Sequence, residues 1–595
     1  MGARSKTRIL ATYLAAAMLA ACSDAPAPPT PEIAWHDCDP SVSDPDSIKQ
    51  LGERLQCATV AVPLDHDDPR KGTIDFALSR VAAGDPSRRR NAIFVNPGGP
   101  GGDGLRLGVR IGALFALADP STPLGAQLRR VSDEYDVIGF SPRGVGSSTN
   151  LTCHSDEPYR VAFLPTVLFT PENLAASYEN QLLNARACQA NPLTPYINTD
   201  AVVRDMDLVR RALGDEKLSY LGYSYGTWLG IWYASRFPER VDRMVIDSVF
   251  DYATGTLTTI GLNQPPALQF VLDEIVSPYA ATKDATFGLG TSPQEIRGIF
   301  GSLPVELQTV LSGELYLRLF SQRRADEVVV QLGAAKGVAE VMREFPDAPP
   351  DEVMRRIAER RFAPDDAIDQ QMREAAEALF FWALELEQED TEPVEVPADT
   401  AVNIAVVCND TPSPTDPAYW NQQIAELREV APAFFGGLNC TDEWGGPTVV
   451  QPDVDRARRV PNILMVQDQY DPATPLAGAL ATYELLGNAS LIYNTRSYTH
   501  GVFPTNEACV DGAVADFFVA DEIPGHFVLE CEGKGLLDGA PAAAARAASA
   551  PGSELPEVLR AQAVRGESGD ASGAYLDPEL ASALVQQIHD EIRDA

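Results

Sequence analysis

The sequence predicts a doubly wound α/β domain with a largely helical insertion. Short, continuous apolar runs fit strands that are buried on both faces of a parallel sheet, and they alternate with amphipathic stretches on both sides of the insertion. Between residues 251 and 399 this alternation gives way to long helical patterns with few β-branched runs. The predicted strands begin at Cys57, Gly72, Asn91, Tyr135, Leu218, Arg243, Ala401, Asn462 and Ser490.

These patterns divide the 595 residues into six expected segments. Sequence from residue 536 onward is rich in Ala, Gly, Pro and Ser before a short predicted helix at 579–593, so we expect it to be largely flexible. The expected segments are an export signal (1–21), a tether (22–35), the first part of the core (36–250), a helical cap (251–399), the rest of the core (400–535) and the tail (536–595).

The first residues follow the pattern of a bacterial export signal. A basic stretch at residues 1–8 precedes an apolar run that is too short to span a membrane and ends in Leu19-Ala-Ala-Cys22. Cysteine at this place resembles the lipobox of bacterial lipoproteins, so we expect a lipid on Cys22; the alternative is an ordinary signal peptide with a chance cysteine. Ser23 does not resemble the aspartate that retains lipoproteins in the inner membrane, which favours the periplasmic side of the outer membrane.

The number of cysteines agrees with export. The chain has nine, and assigning Cys22 to a lipid leaves an even number for an oxidising compartment. The remaining eight form four couples that are close in sequence: Cys38 with Cys57, Cys153 with Cys188, Cys408 with Cys440, and Cys509 with Cys531. Disulfides in these couples are a hypothesis, since eight cysteines allow many pairings.

Composition narrows the classes of partner. With 47 basic and 84 acidic residues the net charge is −37, which argues against nucleic acid or an anionic membrane surface as a charge partner. The chain lacks a C-x-x-C motif and its six histidines are scattered, so we expect neither a metal site nor a cofactor.

The stretch Gly222-Tyr-Ser-Tyr-Gly226 carries the strongest chemical signal. A short apolar run precedes it and an amphipathic stretch follows it, which predicts a strand, a sharp turn and a helix. Such a turn holds its serine in strained backbone geometry and needs glycine on either side. Ser224 is therefore the candidate nucleophile.

A serine nucleophile needs a base, and the base needs an acid that orients it. His500 follows the predicted strand at Ser490, at the sheet edge that carries Ser224, and it is the only well-placed histidine. For the acid, Asp471 and Asp468 both follow the strand at Asn462; we favour Asp471, which opens the tight turn Asp-Pro-Ala-Thr-Pro.

The tetrahedral oxyanion of acyl transfer needs two hydrogen-bond donors. The backbone N–H of Tyr225, directly after the candidate nucleophile, would supply one of them. The other would come from the glycine loop, residues 96–104, which follows the predicted strand at Asn91. We favour Gly99, with Gly98 as the alternative.

Together these motifs resemble the tripeptidyl aminopeptidase branch of the α/β-hydrolases, which is related to the prolyl aminopeptidases. The resemblance covers about residues 38–531 and rests on Cys57-Ala-Thr-Val-Ala-Val-Pro-Leu-Asp, Asn96-Pro-Gly-Gly-Pro-Gly, Gly139-Phe-Ser-Pro-Arg-Gly-Val-Gly-Ser, Gly222-Tyr-Ser-Tyr-Gly and Asp471-Pro-Ala-Thr-Pro. It implies an α/β-hydrolase fold with a helical cap. It also implies an exported serine exopeptidase that cuts short peptides from a free N-terminus, without a cofactor. Members of this branch usually have aspartate where Ser141 stands.

Two other functions remain open from the sequence. An esterase or amidase for small non-peptide acyl substrates would use the same three residues and differ only in the cap. A non-catalytic binding lipoprotein on a hydrolase scaffold is the more remote alternative, because the candidate nucleophile, acid, base and glycine loop are all intact.

Overall fold

A computed structural model describes residues 30–42, 49–388, 391–436, 440–522, 525–538, 554–566, 575–576 and 578–595. Its centre is a sheet of ten strands in the order β1-β2-β4-β3-β6-β7-β9-β10-β11-β12, and β5 pairs with β8 in a separate ribbon. The strands are β1 (Leu55–Pro63), β2 (Thr73–Val81), β3 (Asn91–Asn96), β4 (Tyr135–Ser141), β5 (Cys153–Ser155), β6 (Leu218–Tyr223), β7 (Val241–Asp247), β8 (Val394–Val396), β9 (Ile463–Asp468), β10 (Ala489–Thr495), β11 (Val528–Glu532) and β12 (Val564–Arg565).

Helices cover both faces of the sheet and build a separate layer above it. The helices of the first half are α1 (Leu105–Leu117), α2 (Pro123–Glu134), α3 (Pro171–Gln189), α4 (Thr199–Ala212), α5 (Tyr225–Arg236), α6 (Ile260–Phe270), α7 (Ser277–Thr282), α8 (Asp284–Phe287), α9 (Pro293–Gly301) and α10 (Val305–Tyr316). Those of the second half are α11 (Ala325–Glu344), α12 (Pro350–Glu359), α13 (Asp366–Leu386), α14 (Ala398–Asp410), α15 (Pro417–Val430), α16 (Leu476–Leu486), α17 (Ala508–Val519), α18 (Glu557–Gln562) and α19 (Pro578–Arg593).

The sheet is parallel from β4 through β12, and only β1 and β2 run antiparallel to their neighbours. Its central strands β3, β4 and β6 are buried along their whole length, which explains their continuous apolar sequences. Alternate side chains feed two cores, so that Phe94 and Tyr220 pack on one face while Ile93 and Leu221 pack on the other. The fold is therefore the expected doubly wound α/β type.

Helices α6 to α13 build a third apolar core of their own above the sheet. This helical layer also includes Phe434 and contacts α15, so it continues beyond residue 399, where the sequence suggested a return to the core. Ala473 and Tyr498 belong to the same cluster. The helical layer thus packs directly on the two loops that carry Asp471 and His500.

One predicted strand is wrong. The run Ala401-Val-Asn-Ile-Ala-Val-Val-Cys408 lies within helix α14, Ala398–Asp410. The β-branched residues of this run favour a strand by propensity, but all of its side chains except that of Asn403 are buried. A continuous apolar run is compatible with a buried helix as well as with a buried strand. Here tertiary packing favours the helix.

The tail also differs from expectation in the part that the structure describes. Helix α19 lies against α1 and buries Leu584, Val585, Ile588 and Ile592. It therefore belongs to the second core rather than to a flexible extension. The expected signal at residues 1–21, Cys22 and most of the tether lie outside the described residues.

Four disulfides join the couples that are close in sequence: Cys38–Cys57, Cys153–Cys188, Cys408–Cys440 and Cys509–Cys531. Structural disulfides persist in oxidising compartments, so they indicate an extracytoplasmic protein. Among the described residues, no helix has the length and apolar character needed to cross a membrane.

Candidate active site

Ser224 stands at the turn between strand β6 and helix α5. Its backbone has φ 56° and ψ −127°, in a region that residues other than glycine rarely adopt. The turn is fixed at both sides, since the Ser224 N–H donates to the carbonyl of Asp247 and the Thr227 hydroxyl donates to the carbonyl of Ser224. The serine is thus held at the carboxyl edge of the sheet, directly before a helix N-terminus.

The glycine loop, residues 96–104, passes close to this turn. A Cβ atom on Gly98 would lie 2.7 Å from the Cβ of Ser224 and 2.7 Å from the carbonyl oxygen of Tyr223. Gly98 also has φ 116°, which is unfavourable for any side chain. Its N–H donates to Oδ1 of Asn96 at 3.1 Å. Gly98 is therefore required by close approach, and its N–H is already engaged.

Ser141 ties the glycine loop to the neighbouring strand. Its hydroxyl donates to Asp103 Oδ1 at 2.7 Å, and its carbonyl accepts from Ser148 Oγ at 2.7 Å. The Ser141 hydroxyl thus holds the end of the glycine loop, and its backbone carbonyl holds the turn after β4. A serine performs this task here without a carboxylate of its own.

His500 and Asp471 form a buried pair. The Nδ1 atom of His500 lies 3.0 Å from both carboxylate oxygens of Asp471. The carboxylate is held in turn by the N–H groups of Ala473 and Thr474, at 2.9 and 3.0 Å, and by the Thr474 hydroxyl at 2.9 Å. The tight turn that begins at Asp471 thereby aims its carboxylate at the imidazole.

Asp468 is placed differently. Its carboxylate accepts from Asn494 Nδ2 at 2.6 Å, from the Thr499 N–H at 2.9 Å and from the hydroxyl of Ser497. Burial raises the pKa of this carboxyl to about 7. The carboxylate of Asp468 therefore holds the end of β10 and the loop that leads to His500, rather than the imidazole itself.

A cavity of about 290 Å³ connects these residues. Ser224, His500 and Gly99 line it together, so three of the predicted site residues share one space. The remaining walls come mainly from the helical layer, α14 and the end of α19, and include Phe250, Leu257, Ile260, Gln264, Tyr316, Leu317, Phe320, Asn403, Val407, Ile592, Arg593 and Ala595.

Comparison with protein families agrees with this arrangement. A family model described as the alpha/beta hydrolase fold matches residues 91–292, and a second, described as TAP-like protein, matches residues 431–529. The chain has the α/β-hydrolase fold. The first match contains the glycine loop and Ser224, and the second contains Asp471 and His500.

The chain is similar to several curated proteins, which are named as peptidases or as an esterase. The chain is 28% identical to a tripeptidyl aminopeptidase of Streptomyces coelicolor over 82% of its own length and 84% of that protein. It is 27% identical to the serine protease Hip1 of Mycobacterium tuberculosis, over 83% of this chain and 89% of the relative. Carboxylesterase B of the same organism is 28% identical over the same shares. The chain is a serine hydrolase.

Several residues that hold His500 were not found from the sequence. The His500 N–H donates to the carbonyl of Phe320 at 2.7 Å, which links the imidazole loop to the helical layer. The Gly501 N–H donates to Ser248 Oγ at 2.7 Å, while Asp247 accepts from the N–H groups of the next two residues, at 2.8 and 2.7 Å. Burial raises the pKa of Asp247 well above its usual value. The sequence did offer one signal for Asp247 and Ser248: they stand at the carboxyl end of a buried parallel strand, where α/β proteins place functional residues.

A second buried network fixes Tyr225. Its hydroxyl bonds to Thr199 Oγ1, which also donates to Asp410; the Thr199 N–H donates to the same carboxylate at 2.8 Å. Burial raises the pKa of Asp410 to about 7. The side chain of Tyr225 is thereby anchored to helices α4 and α14, and its backbone N–H is kept at the start of α5.

Proposed function

We propose that this α/β-hydrolase is a serine exopeptidase of the aminopeptidase type, which releases short peptides from a free N-terminus through an acyl-Ser224 intermediate. The observation that carries the proposal is the shared cavity: Ser224 and His500 line it, and Asp471 holds the imidazole from behind. The peptidase assignment is supported by the relatives named tripeptidyl aminopeptidase and serine protease, and by the TAP-like match.

In this mechanism Ser224 Oγ attacks the carbonyl carbon of the scissile bond, and His500 takes the hydroxyl proton on Nε2. Asp471 accepts the Nδ1–H hydrogen bond and stabilises the imidazolium that forms. The same proton then passes from His500 to the leaving amine, and the C–N bond breaks. A water molecule attacks the acyl-enzyme with His500 again as the base, which releases the acid and restores Ser224.

The oxyanion would be bound by the backbone N–H groups of Tyr225 and Gly99. Tyr225 is the first residue of α5, where the helix dipole favours negative charge. In the glycine loop, Gly99 borders the cavity, whereas the N–H of Gly98 is engaged with Asn96. We therefore keep Gly99 as the second donor.

An esterase or amidase is the second candidate, and one feature of the cavity favours it. In the part of the chain that the structure describes, no Asp or Glu is among the residues that line the cavity. The side chains that line the cavity would then offer a free substrate ammonium only neutral oxygens, such as those of Thr258 and Gln264, and Gln264 Oε1 already accepts from Tyr316 OH. The relative named carboxylesterase B points to the same alternative.

Paired chromogenic substrates separate the two functions. We would compare mono-, di- and tripeptide anilides with free amines, the same tripeptides N-acetylated, and nitrophenyl esters, with Ser224→Ala as the blank. The exopeptidase proposal predicts turnover of the free-amine peptides and its loss on acetylation, and the preferred length names the class. Equal turnover of free and blocked peptides, or of the esters alone, would favour the esterase or amidase.

We also propose that the protein is exported and anchored to the periplasmic side of the outer membrane by a lipid on Cys22. The sequence pattern supports this, and the four disulfides fit an oxidising compartment. Radiolabelled palmitate should enter the wild-type protein in a bacterial host, and Cys22→Ser should lose the label and leave the membrane fraction. Equal labelling of the two proteins would exclude this site.

A further inference from the structure

We propose that residues 592–595, at the end of helix α19, are a specificity-determining wall of the catalytic cavity. Ile592, Arg593 and Ala595 line the same cavity of about 290 Å³ as Ser224 and His500. The proposal rests on Ser224 being the nucleophile of this cavity, as proposed above. It adds that the C-terminal segment limits the size of the acyl group that can reach that nucleophile.

Three glycines of the catalytic loops allow this segment to approach them closely. A Cβ atom on Gly99 would lie 2.7 Å from the backbone oxygen of Ala595, and one on Gly102 would lie 2.5 Å from the Cβ of Ala595. A Cβ atom on Gly501, next to His500, would lie 2.9 Å from Cγ2 of Ile592. The glycine loop and the His500 loop therefore leave space that the C-terminal segment fills.

Helix α19 is firmly held, so the wall is a fixed part of the cavity. Arg110 on α1 donates to the carbonyl of Gln587 at 2.7 Å and pairs with Glu591 at 2.5 Å. His589 lies with Nε2 at 3.0 Å from the carbonyl of Pro504, in the segment after the His500 loop. The buried apolar residues of helix α19 pack in the second core beside these contacts.

Arg593 contributes the largest side chain of the wall. Its guanidinium contacts Asp590 at 2.5 Å and both carboxylate oxygens of Asp594 at 2.7 and 2.9 Å. These contacts hold the long side chain in one place, and it is only 12% exposed. An arginine that is paired in this way narrows the cavity through its bulk, because its charge is already compensated.

Nitrophenyl esters of increasing acyl length test the proposal without requiring a peptide substrate. The full chain, Arg593→Ala and a variant lacking residues 593–595 would be assayed with the acetate, butyrate and octanoate. Loss of the wall should raise the octanoate-to-acetate ratio of kcat/KM by about tenfold or more, since each methylene that gains a place in an apolar pocket is worth about that factor. Arg593→Met removes the charge but keeps the unbranched stem of the side chain, so its ratio should lie closer to that of the wild type than to that of Arg593→Ala.

Arg560→Ala is the matched control, because Arg560 also pairs with a carboxylate, Glu554, and is not among the lining residues. An unchanged ratio in Arg593→Ala and in the deletion, with wild-type circular dichroism and Tm, would overturn the proposal. A changed ratio in Arg593→Met equal to that of Arg593→Ala would overturn the size argument. Failure of the premise is distinguishable, because Ser224→Ala would still hydrolyse the acetate if Ser224 were not the nucleophile. Failure of the peptidase assignment shows separately, as equal turnover of free and N-acetylated peptide anilides.

Discussion

The carboxylate of Asp471 faces His500 with both oxygens 3.0 Å from Nδ1, whereas Asp468 directs its carboxylate to Asn494 and the backbone of Thr499. Two aspartates at the end of one strand thus have separate tasks. One touches the imidazole, and the other shapes the loop that presents it. This geometry favours Asp471 over Asp468 as the acid of the proposed mechanism.

Asp471→Asn should lower kcat by a factor on the order of 10⁴, because an amide no longer holds the imidazole in the productive tautomer. Asp468→Asn is the matched control and should lose far less activity, because its carboxylate does not reach the imidazole. The measurement is kcat on nitrophenyl acetate for both variants at one pH. Equal losses in the two variants would contradict the assignment of the acid.

Gly98→Ala should reduce kcat by at least about 10²-fold, since a displacement near 1 Å at the nucleophile has that effect. The added Cβ would lie 2.7 Å from the Cβ of Ser224. Gly72→Ala is the matched control, because Gly72 has a similar φ of 104° and no atom within 4 Å of the added Cβ. It should lower the free energy of unfolding by about 1–3 kcal/mol and leave kcat unchanged. Similar kcat values for both variants would show that the glycine loop does not constrain Ser224.

The buried carboxyl of Asp410 should make the free energy of unfolding depend on pH. Its pKa is raised by burial from 3.8 to about 7, so the native state binds its proton more tightly than the unfolded chain does. The stability that this proton provides is complete below about pH 4 and is lost as the pH rises through 7. The free energy of unfolding of the wild type minus that of Asp410→Asn should therefore fall by roughly 1.4 kcal/mol per pH unit between those limits.

Urea denaturation of both proteins from pH 4.5 to 8.5 measures this difference, in which the other titrating groups cancel. The difference should level off above about pH 8, where the carboxyl is ionised in both states. A difference that stays constant across the range would contradict the raised pKa of Asp410.

The Cys408–Cys440 disulfide fastens helix α14, which carries Asp410, to the loop that contains Cys440. The two cysteines are 32 positions apart in the sequence. Replacing both cysteines with serine should lower the free energy of unfolding by about 3–4 kcal/mol, the value that the chain-entropy relation gives for a loop of this length. Urea denaturation under oxidising conditions is the measurement. The reduced wild type should lose at least as much stability, and an unchanged midpoint in the variant would contradict a structural role.

Much of the fold could be predicted because its elements have strong local signals. The buried strand β3, for example, combines a continuous apolar run with a following run of glycine and proline that can form neither helix nor strand. The Ser224 turn has its own pattern of glycines. Helix α14 could not be predicted, since its apolar residues occur on all sides and β-branched residues interrupt the helical signal.

The sequence offers a local signal for some residues of the candidate site and none for the contacts that arise between distant segments. Ser224 and His500 stand in recognisable turns. The carbonyl of Phe320 and the side chain of Ser248 reach the His500 loop only through tertiary packing. The wall formed by Arg593 was hidden for the same reason, because the surrounding composition suggested a flexible tail and the partners of α19 lie in distant parts of the chain.

Covalent labelling of Ser224 tests the central claim most directly. The wild-type protein would be treated with a fluorophosphonate, digested and mapped by mass spectrometry, with Ser224→Ala and His500→Ala treated in parallel. We predict one stoichiometric adduct on the peptide that contains Ser224, abolished in Ser224→Ala and strongly slowed in His500→Ala, since the serine needs its base. An adduct on another residue, or ester hydrolysis that persists in Ser224→Ala, would contradict the account.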